Sequence, residues 1–143
     1  MNQCKLEIFF KFVDIDGQFM GVTVKHHSDE STLLPTDAAV HCYSTEVELP
    51  TQIDLTFFGK NQNNDTKIDE QGNITQDKHV LIKEIRLDNI TVEPLYLKRR
   101  LKLEHKDGVN YSNYIGFNGC MKIEFNQPNV FLQIMEMKRL GEY

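Results

Sequence analysis

GKNQNNDTKIDEQGNITQDKHVLIKEIRLDNITVE, residues 59–93, changes character at its middle, and that change decides the fold class. Up to Lys78 it is rich in Asn, Asp, Gln and Gly and too poor in apolar side chains to pack as a core element, so it reads as a long, functional-looking loop. From Val80 onward it is apolar and β-branched, which pins the acidic loop to a buried element. Val80 and Ile82 share one parity, Ile85 and Leu87 the other, and Ile90 with Val92 switch back after Asp88-Asn89, a pair suited to a bulge or tight turn. A helix over 79–87 competes with this reading. Strand is preferred because the segment is β-branched and carries no helix stop signal.

The same period of two extends outward in both directions. Leu6, Ile8, Phe10 and Phe12 alternate with Lys5, Glu7 and Lys11, Asp16-Gly17 has the chemistry of a two-residue turn, and Met20, Val22 and Val24 alternate beyond it. The first 26 residues are therefore expected to form a β-hairpin. Residues 26–41 lose the pattern and predict a loop, with at most one helical turn over 37–40. Val47, Leu49, Ile53, Leu55 and Phe57 restore it on either side of Pro50, where a break, bulge or edge is expected. Leu95, Leu97, Leu101 and Leu103 alternate next, then Ile115 and Phe117, and then Met121, Ile123 and Phe125. A last strand is expected from Val130, Leu132 and Ile134 on one face and Phe131, Met135 and Met137 on the other. Short strands between turn signals, without the long helical segments that parallel βαβ units need, predict an all-β fold. The expected architecture is an antiparallel, jelly-roll-like β-sandwich with at most one short helix, formed as one domain over residues 1–143.

Composition bounds what such a domain can do. A hydrophobic share of 40% with 26% charged residues is that of soluble globular chains, and no apolar run reaches membrane-helix length, so no membrane partner is expected. Residues 1–12 carry no basic region followed by an apolar block and cleavage site, which predicts folding in a cytoplasm. Cys4, Cys42 and Cys120 are odd in number and widely spaced, as free thiols are. A net charge of −5 disfavours nucleic acid, whose general binders need cations to displace counterions.

Three constellations are candidates for function. Asp65, Asp69 and Asp77 offer the hard oxygens that calcium takes, although Lys67, Glu70 and Gln76 at the third, sixth and twelfth positions exclude an EF-hand loop. The competing reading is a solvated loop whose Asp and Asn side chains bond their own backbone. Lys98, Arg100 and Lys102 form a basic stripe along one strand face, suited to an acidic partner or to guarding a sheet edge. Tyr96, Tyr111 and Tyr114 are the platforms on which a sugar ring could stack, with Asn110 and Asn113 beside them, and their alternative role is a partner interface. His26, His27, His41, His79 and His105 lack zinc-site spacing, and no nucleophile elbow or phosphate loop is present. No catalytic residues are expected.

The order Gly59-Lys60, Asp65-Thr66, Asp69, Gly72-Asn73-Ile74, Asp77-Lys78, then Gly116-Phe117-Asn118-Gly119 before Met121 to Phe125, resembles small uncharacterised β-sandwich virion proteins of tailed bacteriophages. Those are similar in outline to carbohydrate-binding-module jelly rolls. The resemblance implies a non-enzymatic virion component, a capsid decoration or a neck, tail or baseplate accessory, made in a host cytoplasm and contacting other virion proteins or copies of itself. The alternative function is a calcium-dependent carbohydrate-binding module that attaches its carrier to glycans.

Overall fold

The computed structural model describes residues 3–61, 66–92, 101–105, 108–109 and 113–141, with 101–105, 108–109 and 140–141 as backbone alone. Thirteen strands and one helix lie among them: β1 Gln3–Val13, β2 Gly21–His26, β3 Asp29–Leu33, β4 Val40–Glu48, β5 Thr51–Phe58, β6 Thr66–Ile68, β7 Ile74–Asp77, β8 His79–Leu87, β9 Ile90–Thr91, β10 Leu101–His105, β11 Gly108–Val109, β12 Tyr114–Ile115, β13 Gly119–Phe125 and α1 Val130–Gly141. One sheet runs β12-β8-β1-β4 with β9 beside β8, the other runs β11-β10-β13-β5-β2-β3, and β6-β7 form a separate ribbon. All the recorded strand pairs are antiparallel.

The alternating apolar residues meet between the sheets. Leu6, Ile8, Phe10 and Phe12 of β1 and Val80, Ile82, Ile85 and Leu87 of β8 face Val22 and Val24 of β2, Ile53, Leu55 and Phe57 of β5, and Met121, Ile123 and Phe125 of β13. The parity change in β8 has a definite cause: Phe9 pairs with Glu84 and Phe10 with Ile82, so Lys83 is an extra, exposed residue in the ladder. This β-bulge lets side chains of both parities reach the same core. The second switch is the turn at Asp88 and Asn89, whose φ angles are 49° and 65°. Asp88 also ties itself to β1, where its side chain accepts from the Lys5 amide at 2.7 Å and its amide donates to the Lys5 carbonyl at 2.8 Å.

Three local expectations change. The Asp16-Gly17 turn forms, with φ of 53° and 80°, but the ladder stops at one bridge between Ile15 and Gln18. β1 then pairs with β4 and β8 while β2 pairs with β3 and β5. The expected hairpin is a corner between the sheets, because both strands bury an apolar face and can do so together only across the core. Residues 26–41 hold a true hairpin instead: β2 turns at His27 (φ 51°) into β3. β3 is an edge strand whose Glu30, Ser31 and Thr32 are exposed, so it carries no alternation to read. No helical turn occurs at 37–40, where Asp37 accepts from the Ala39 amide and leads into β4.

The expected last strand is helix α1. Asn129 caps it, its side chain accepting from the Leu132 amide at 2.9 Å while its carbonyl accepts from Gln133 at 3.0 Å. Val130, Ile134 and Met137 recur at helical spacing and pack on the core, whereas Phe131 is 70% exposed. Gln133 and Glu136 are buried beside them, and Gln133 accepts from the Gln127 amide at 3.1 Å.

Candidate functional site

The site lies where the β6–β7 ribbon joins β8, and it begins with a lysine. After β5 the chain turns at Gly59 and Lys60, and the Asn118 side chain clasps Lys60, accepting from its amide and donating to its carbonyl, both at 2.9 Å. That reciprocal pair aims the Lys60 side chain inward, where it is only 2% exposed. Its ammonium meets the carboxylate of Asp77 and donates to the Lys78 carbonyl at 2.5 Å. Lys78 is buried as well, and its ammonium donates to the Gly59 carbonyl at 2.6 Å. Two lysines thus tie the start of the polar loop to its end.

Asp77 is the hub. Oδ1 takes the Lys60 ammonium and the Thr66 hydroxyl, the latter at 2.7 Å, and Oδ2 takes the Tyr114 hydroxyl. Burial opposes its charge, but hydrogen bonds from Lys60, Tyr114 and Thr66 together outweigh that penalty and hold its carboxyl below the usual range. Burial first, and then the Asp77 carboxylate, push the Tyr114 phenol far above its ordinary value. Gly116 lies close by: a Cβ there would stand 3.0 Å from Asp77 Oδ2 and 3.0 Å from the Tyr114 ring, so one of them would have to give way to a side chain.

The aromatic wall follows from strand pairing. β12 places Tyr114 opposite Leu81 on β8, and the Tyr114 ring stacks on His79 with centroids 4.2 Å apart and planes 20° apart. His79 Nδ1 is 2.7 Å from the Asp77 carbonyl, which can only accept, so Nδ1 carries the proton. Next to this wall is a cleft of about 400 Å³ lined by Val13, Asp14, Asp16, Thr75, Gln76, Asp77 and His79. Lys67 reaches across to Asp16 at 3.1 Å and ties the ribbon to the β1–β2 corner.

Of the acidic set, Asp69 has the loop role: its Oδ1 accepts from the Gln71 and Asn73 amides at 2.9 and 2.8 Å, shaping the turn at Gly72. Asp77 is engaged through both oxygens, and Asp65 lies outside the described residues. Among the described residues no three His, Cys, Asp or Glu side chains gather as metal ligands, and both Asp77 oxygens are taken by Lys60, Thr66 and Tyr114. Tyr96, Tyr111, Lys98 and Arg100 lie outside the described residues, and Lys102 pairs with Lys122 through the β10–β13 ladder. Tyr114 is the tyrosine of the expected platform that the structure describes, and it is 40% exposed. Lys60, Thr66, His79 and Asn118 were not expected here; Lys60, Thr66 and Asn118 find their partners 11 to 58 residues away, and His79 stacks on Tyr114 across β8 and β12, so no spacing rule connects them.

No known family model matches the chain, and neither does any curated protein. Two solved structures resemble it over most of its length. The selenomethionine form of vCBM60, from work on a circular permutation linking two families of calcium-dependent carbohydrate-binding modules, is 14% identical and covers 85% of this chain and 90% of its own, with a TM-score of 0.54. vCBM60 in complex with galactobiose is 15% identical and covers 84% of this chain and 97% of its own, also with a TM-score of 0.54. The fold is therefore a β-sandwich jelly roll like that of these two structures. The outline part of the expected resemblance agrees with this, while neither comparison points to a virion.

Proposed function

We propose that this protein is a non-catalytic carbohydrate-binding module that holds a glycan in the cleft beside the His79–Tyr114 stack. The carrying observation is that cleft: the His79 ring, backed by Tyr114, shares its lining with Asp14, Asp16, Thr75 and Gln76, which is the mixture a sugar needs. The apolar face of a pyranose packs on a ring, and its hydroxyls bond carboxylates and amides. The jelly-roll fold shared with a module whose complex holds galactobiose supports the same reading. Asp77 serves as a support that holds the wall, since both its oxygens are engaged. The virion reading has no comparable support.

Isothermal titration with galactobiose and longer galactans, followed by a glycan array, tests this. The expected result is weak, saturable binding that His79→Ala lowers at least ~10-fold, as losing one stacking contact and its wall would. Absence of binding to every glycan, together with a stable oligomer by light scattering, would overturn it in favour of a structural role.

A further inference from the structure

The fold neighbours come from work on calcium-dependent modules, yet the acidic hub of this chain is built around an ammonium group. We propose that Lys60 is the resident cation of the Asp77 hub, so that the β6–β7 end of the cleft is organised without calcium. The argument is one of occupancy. Calcium takes six to eight oxygens and needs carboxylates open to it. Asp77 Oδ1 faces the Lys60 ammonium and the Thr66 hydroxyl, and Oδ2 faces the Tyr114 hydroxyl.

A divalent ion coordinating Asp77 would sit beside that ammonium, where like charges repel strongly with little water between them. The lysine is no loose surface group that could swing away. Asn118 fixes its backbone, its side chain is 2% exposed, and the Lys78 carbonyl shares it with Asp77. A buried ammonium is tolerated only when carboxylate and carbonyl partners replace its water, and both are present here. Lys78 repeats the device on the Gly59 carbonyl, so one cation bridges each direction between the two loop ends. Together they do what a metal ion does for an acidic loop: neutralise it and join segments distant in sequence.

The test separates this from the glycan reading, because its main arms need no ligand. Thermal melting of the wild type, Lys60→Met, Lys60→Arg and Asp77→Asn is recorded in chelator and in millimolar calcium, with the ammonium protons of Lys60 followed by ¹⁵N NMR. The wild type is expected to melt at the same temperature in both conditions and to show slowly exchanging Lys60 ammonium protons. Lys60→Met is expected to melt several degrees lower, and the double variant with Asp77→Asn to lose less than the sum of the two. A calcium-dependent rise in the wild type that disappears in Asp77→Asn would overturn the proposal. So would fast-exchanging ammonium protons, which would also decide the matter if Lys60→Met fails to fold. A rise that persists in Asp77→Asn would overturn the calcium-free part of the proposal too, by assigning calcium to another place, while leaving Lys60 on Asp77. If glycan binding fails while these results hold, the hub stands and the functional reading falls.

Discussion

The inter-sheet core and the Asp77 hub are built on opposite principles. In the core, Phe10, Phe12, Phe57 and Phe125 fill space with many weak, non-directional contacts, and every neighbour substitutes partly for every other. At the hub, Lys60, Thr66 and Tyr114 converge on a single carboxylate, and no neighbour replaces a missing partner. Volume and parity therefore govern the core, whereas identity governs the hub. The first should yield to changes of register or size, and the second to changes of one charge or one hydroxyl.

The largest expected effect comes from register. Deleting Lys83 removes the β8 bulge, so Val80 with Ile82 and Ile85 with Leu87 can no longer all face inward. Turning two such side chains into water forfeits roughly 1.5–3 kcal/mol each. Chemical denaturation should show that loss or an unfolded chain; a deletion variant as stable as the parent would mean that the bulge does not set the register. Phe10→Ala, which leaves the register intact, should lose about 3–5 kcal/mol through lost burial and a cavity. If Phe10→Ala proved nearly neutral, the contrast between a packed core and a keyed hub would fail on the core side.

These two regions also differ in how far sequence reveals them. Period-two alternation announces Leu6 to Phe12, Ile53 to Phe57 and Met121 to Phe125, because each strand has one dry face. The bulge at Lys83 left a readable trace too, as a change of parity. Where the signal fails, the reason is physical. β3 is wet on its exposed face and has no alternation, and the corner after Gly17 looks like any hairpin turn because the turn is local while the choice of sheet is not. α1 is apolar at Phe131, Leu132 and Met135 as well as at Val130, Ile134 and Met137, so both periods fit, and only the Asn129 cap distinguishes them. Asp77 and Tyr114 could be nominated as polar residues near a site. Their partnership with each other could not, since it depends on β12 docking against β8.

The hub side of the comparison can be tested with pH. Asp77 has a folded-state pKa below its unfolded value, so its contribution to stability is present above pH ~4 and is lost as pH falls through the folded value. Tyr114 runs the other way: its folded value is raised, so its contribution is complete below pH ~10 and fades as pH climbs above that. Asp77→Asn should therefore flatten the acid flank of the stability curve, and Tyr114→Phe the alkaline flank. Phe10→Ala should lower the curve without changing either slope. Unchanged flanks in both hub variants would show that the carboxylate is not the keyed element.

The smallest effect uses the cysteines as reporters, one at the rim of the core and one outside it. Cys4 on β1 is buried, and burial, followed by the charges of Asp88 and Glu46, pushes its thiol up to about 11. Cys42 on β4 is exposed, with a thiol raised by partial burial and by Glu7. Because the thiolate is the reacting species and needs access, a thiol reagent at neutral pH should modify Cys42 well before Cys4, which reacts only when β1 opens. Phe10→Ala should bring the Cys4 rate up by weakening the structure that shields it, whereas the Cys42 rate should stay the same. Equal rates for the two thiols in the wild type would mean that the β1–β4 end frays independently of the packed core, and the cooperative unit would then have to be drawn around β5, β8 and β13 instead.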